Sequence, residues 1–72
     1  MLSTDDILNQ IKSIDKSIEL DYKTIELYKQ AGGTDLRSPF SLTFLQLIAT
    51  VQGNIATKQL QITMLQLGLR NI

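Results

Sequence analysis

From Phe40 to Leu69 the chain runs thirty residues in a helical pattern with a single formal charge, Lys58. A surface helix of a small soluble protein carries charges along its outward face, so a helix this poor in charge is expected to be enclosed on more than one side. Its apolar residues form two faces. Phe44, Ile48, Val51, Ile55, Ile62, Leu65 and Leu69 recur in three-four spacing, with Lys58 standing where the alternation asks for an apolar residue. A second face holds Leu42, Leu45, Ala49, Gly53, Ala56, Leu60 and Leu67. Its middle is small, and Ala49, Gly53 and Thr57 at four-residue spacing would let another backbone approach closely. A glycine inside a helix costs about 1 kcal/mol relative to alanine, and close helix contact is the ordinary reason to keep one. The second face is therefore the candidate oligomer interface.

The partner for the first face lies upstream. Between Thr4 and Ala31 the isoleucines fall at Ile7, Ile11, Ile14, Ile18 and Ile25, and Tyr28 continues the stripe. This alternation is that of a helix with one apolar seam. Ser3 is the expected N-cap, Asp5 and Asp6 sit in the first turn where the helix dipole favours carboxylates, and Leu2 is placed to staple against Ile7. Lys12, Lys16, Glu19, Lys23 and Glu26 occupy the far side as a solvated face.

Gly32-Gly33 is expected to end this helix, because glycine readily takes the left-handed conformation that closes a C-terminus. After a short loop, Ser38-Pro39 reads as a restart, with serine as cap and proline at the first helical position. Short connections between helices favour antiparallel neighbours. The expected fold is all-α: one antiparallel two-helix hairpin over residues 1–72, with a helix at about 4–31, a loop at 32–38 and a helix at about 39–70. Folded tightly, it sets Tyr28 near Phe44, Ile18 near Ile55 and Ile7 near Leu65. A chain of 72 residues buries little surface alone. The hairpin is thus expected to assemble into a homo-oligomeric, coiled-coil-like bundle, most simply a dimeric four-helix bundle.

Two charges fall within the apolar alternations, Asp21 and Lys58, and form a candidate register pair. Level with Val51 and Ile14 respectively, they stand about two helical turns, roughly 10 Å, apart within one hairpin. That spacing argues against pairing inside one chain; a neighbouring subunit could bring the two together and so fix the register of assembly. The alternative has each side chain leaning out of the seam, with Tyr22 filling the gap left by Asp21 and Lys58 lying along the surface on its aliphatic stem.

Several function classes are excluded by composition. No cysteine and no histidine are present, which removes disulfides, thiolate or imidazole metal sites and Cys-His chemistry. Seven basic residues balance seven acidic ones, so neither nucleic acid nor an anionic membrane is an expected partner. No phosphate-cradling glycine loop follows a strand, and Asp5-Asp6 reads as a helix start rather than an acid-base pair. No catalysis and no cofactor are expected. The N-terminus has neither the basic flank nor the apolar run of a secretory signal, and Gln46, Gln52, Gly53 and Asn54 make residues 39–57 a poor membrane span. A cytoplasmic location is the expected one.

One loop constellation suggests a ligand. Arg37 and Ser38 precede the second helix, whose free N–H groups could hold an anion, and Tyr28 and Lys29 end the first. Together they are a candidate site for a phosphate-containing small molecule or nucleotide. In the competing reading Arg37 is a solvated loop residue and Tyr28 belongs to the core.

In outline, a helix, a proline-containing loop and a second helix resemble type III secretion needle subunits, with Pro39 followed by Gln46 echoing the start of their second helix. That resemblance implies a subunit of a helical filament. Small, neutral, cysteine-free helical chains are also similar to phage-encoded inhibitors and nucleotide-signal sponges. The expected function is a small non-enzymatic, self-assembling protein that regulates or inhibits through protein–protein contact. The alternatives are ligand sequestration at the Arg37 loop and filament formation.

Overall fold

The computed structural model describes residues 3–33, 37 and 39–71. Helix α1 spans Thr4–Tyr28 and helix α2 spans Ser41–Arg70, with a π-helical turn, Lys29–Gly33, continuing α1 toward the loop. Among the described residues there is no strand.

The start of α1 follows its local chemistry. Ser3 caps it, and the cap is reciprocal: the Asp6 N–H donates to Ser3 Oγ at 3.1 Å while the Ser3 N–H donates to Asp6 Oδ2 at 3.2 Å. The expected staple falls on Leu2, outside the described residues. At the other end, Gly32 has φ 121° and ψ 7°, a conformation that a Cβ would strain. The π turn packs back against α2.

The second helix begins later than the Ser-Pro signal suggests. Ser41, not Pro39, is its first residue; Phe40 takes the cap position without a side-chain bond, and its carbonyl accepts the Phe44 N–H at 3.1 Å. Ser38, expected as the cap, lies outside the described residues. Across the hairpin Phe44 packs on Tyr28 with ring centroids 6.1 Å apart and planes tilted by 38°, the contact that a tight hairpin predicts.

Along the hairpin the two isoleucine seams meet as expected. Ile18, Ile25, Ile48 and Ile55 are buried together, with Ile14, Tyr28, Val51 and Ile62 packed around them, and Ile7 is buried nearer the free end of α1. Burying an isoleucine contributes about 1.5–3 kcal/mol. No described side chain falls below 2% exposure, so this core is one seam thick.

The result is a rod of 53 × 14 × 14 Å. Its radius of gyration is 16.3 Å, against the roughly 11 Å of a compact chain of this length. Its accessible surface is 5522 Å², where a compact protein of 8.1 kDa exposes roughly 4,500 Å². The excess is surface that one hairpin cannot cover by itself.

Candidate functional site

What covers that surface depends on how each helix distributes its residues. α1 keeps its apolar stripe inward and its charges outward, Asp21 excepted. α2 has apolar residues all the way round. Every member of the predicted interface is exposed: Leu42 at 66%, Leu60 at 60%, Leu67 at 48% and Leu45 at 41%, together with Ala49, Gly53 and Ala56. A Cβ built on Gly53 meets nothing within 4 Å, so the hairpin itself gives no packing reason for this glycine.

The polar residues of α2 leave its outside less polar than their number suggests. Thr50, Thr57 and Thr63 each donate the side-chain hydroxyl to the carbonyl four residues earlier, at 3.0–3.1 Å. Such a bond satisfies the hydroxyl within the helix and leaves the threonine methyl on the surface. The glutamines bring hydrogen-bonding capacity without charge, which is less costly to desolvate than a lysine or glutamate would be.

The two seam charges overturn one expectation. Lys58 Nζ lies 2.6 Å from Asp21 Oδ2 inside the same chain, with side chains 26% and 20% exposed. Pairing within a hairpin, not between subunits, satisfies both. Backbone levels two turns apart mislead here because a helical side chain slants toward its own N-terminus. In an antiparallel hairpin Asp21 therefore slants toward Lys58, and Lys58 toward Asp21. Neither leaves the seam, and Tyr22 does not fill a gap there; it is 52% exposed. No described side-chain nitrogen or oxygen is buried without a partner.

The candidate ligand residues are dispersed in role. Tyr28 is half-buried in the core against Phe44, and Lys29 Nζ lies 3.6 Å from Glu26 Oε1 on the surface of the helix end. Arg37 is exposed and takes part in an interaction of its own. Ser38 lies outside the described residues, and the first turn of α2 begins three residues beyond it. No group of three or more metal-binding side chains occurs among the described residues. Nor, among them, is any helix long and apolar enough to cross a membrane.

A further surface went unread in the sequence. The clefts along the seam differ in kind: Lys12, Asp15, Glu19 and Tyr22 line one on the charged side of α1, while Gln10, Gln61 and Met64 line another between the helices. The signal was available. Placed on a seven-residue repeat, the charges of α1 beyond its first turn and outside the seam all avoid the two positions that make this second side. Comparison with protein-family models, with curated proteins and with solved structures finds no match.

Proposed function

We propose that the chain is a non-enzymatic, self-assembling helical protein that acts through protein–protein contact. The observation that carries this reading is the outer face of α2, apolar and uncharged from Leu42 to Leu67 and uncovered within the hairpin. Exposed leucines set among uncharged glutamines, Gln46, Gln52, Gln59 and Gln66, make a surface that costs little to desolvate, the kind that marks interaction sites in soluble proteins. A second copy is the simplest cover, because a net charge of zero removes repulsion between like chains. Sequestration of an anion at the Arg37 loop has less support, since Tyr28 is occupied by Phe44 and Lys29 by Glu26.

Gly53→Leu tests the reading cleanly. The substitution has open space in the hairpin and improves helix propensity, so folding of the isolated chain should be unharmed or better. Association, measured by sedimentation equilibrium, should weaken at least tenfold because the bulk enters the contact. Equal or tighter association would mean that this face is not the interface.

A further inference from the structure

Resting on the self-assembly reading, we infer that the hairpin carries a second, separate self-contact surface: the flat side where both helices lie next to each other, whose occupant is another copy of this chain. Gln10, Ser17 and Thr24 recur at seven-residue spacing on the α1 edge of that side, as do Ser13, Leu20 and Leu27 just beyond them. On α2 the same spacing sets out Leu47, Asn54 and Gln61, then Thr50, Thr57 and Met64. Residues seven apart stay on one side of a helix packed in a seam. The cleft lined by Gln10, Gln61 and Met64 shows that the two sets share one side of the rod.

Three properties of this side point to a second copy. Beyond the first turn of α1, where Asp6 shares the Ser13 position, it is free of charge on both helices: Lys12, Asp15, Lys16, Glu19, Lys23 and Glu26 all stand on other positions. Its large apolar side chains are open, with Leu20 61%, Leu27 63%, Leu47 39% and Met64 64% exposed. Its threonines are already satisfied, Thr24 by the Leu20 carbonyl, Thr50 by Gln46 and Thr57 by Gly53. Covering it therefore strands no charge and none of these hydroxyls.

Size and symmetry complete the argument. From Gln10 to Leu27, and from Leu47 to Met64, the strip runs roughly 26 Å along the rod and roughly 14 Å across it, on the order of 360 Å². That is about half of the roughly 800 Å² that each partner contributes to a standard interface, so this is the weaker contact and forms at the upper end of the concentration range. A straight uncharged strip of that length is matched along its whole extent by the same strip of another hairpin. A charged partner would leave its own charges unpaired there. The outer face of α2 is centred roughly a third of a revolution away, and Thr57, at the edge of both, is the named residue they share. A subunit with two such self-contacts grows beyond a pair unless the geometry closes into a ring.

The test is the mass of the assembly, by sedimentation velocity from 1 to 200 μM, for the unaltered chain and for variants of each face. The substituted residues are exposed, and helical circular dichroism checks that each variant folds. Unaltered protein is expected to exceed twice the chain mass as concentration rises. Leu20→Lys with Leu27→Glu, which keeps the net charge at zero, should cap it at a dimer, and Met64→Glu should do so from the α2 side of the same face. Leu60→Lys with Leu67→Glu should also leave a dimer, held by the flat side, and all four together a monomer. Unaltered protein that stops at a dimer, or flat-side variants with the unaltered mass distribution, would overturn the second surface while leaving the functional reading intact. A monomer at every concentration would overturn both.

Discussion

The two helices of this hairpin bury the same kind of residue and differ in what they do with the rest. α1 hides Ile7, Ile18 and Ile25 and surrounds them with charge, so ten of the fourteen formal charges fall in residues 1–33. α2 hides Ile48 and Ile55 and surrounds them with leucine, alanine, threonine and glutamine; between residues 40 and 69 its one charge is the lysine already joined to Asp21. Hairpin partner and water meet most of the surface of α1, with Leu20 and Leu27 left open on one uncharged side. They do not do so for α2. An amphipathic helix needs one apolar neighbour, whereas a helix that is apolar on several faces needs several.

This contrast is sharpest where a seam residue and an outer residue of α2 are truncated side by side. Ile55→Ala, at a position 5% exposed, should lower folding stability by about 3 kcal/mol in urea denaturation. Leu60→Ala, 60% exposed, should stay within about 0.5 kcal/mol for the dilute chain and instead weaken association. Similar losses in stability from both, at every protein concentration, would erase the distinction between seam and outer face.

The Asp21–Lys58 pair gives the next largest effect. Lys58→Met leaves a part-buried carboxylate without its donor and should cost about 2 kcal/mol. Asp21→Leu combined with Lys58→Met should recover most of that loss, since an apolar pair can replace a buried ion pair. The coupling should not vary with protein concentration, because the pair lies within one chain. Coupling that appears only in the association constant would place the contact between subunits.

Smallest is the effect at the turn. Gly32→Ala forces a Cβ into a φ of 121° and should cost about 1–2 kcal/mol of folding stability with no change in association beyond that loss. Unchanged melting would show that the end of α1 is not held in this geometry.

Much of this architecture is legible in the residues. Isoleucines at three-four spacing specify the seam of α1, the glycine pair specifies its end, and matching residues on α2 specify the partner face. The misreadings have physical causes. Counting backbone levels ignores the slant of side chains, which in antiparallel helices closes the distance between Asp21 and Lys58. Placing Pro39 at the start of α2 misses the first helical residue, Ser41, by two positions, the ordinary spread of a helix end read from a local signal. The outer face of α2 could be read because its lack of charge is visible in one segment. The uncharged side of α1 is less conspicuous, since its neutrality appears only when the charges past the first turn are placed on a seven-residue repeat.

Light scattering of the purified chain at low micromolar concentration tests the central claim most directly. The account predicts a mass of at least two chains for a fully helical sample, because the outer face of α2 is uncovered in a single hairpin. A well-folded, cooperatively melting monomer of 8.1 kDa would contradict it.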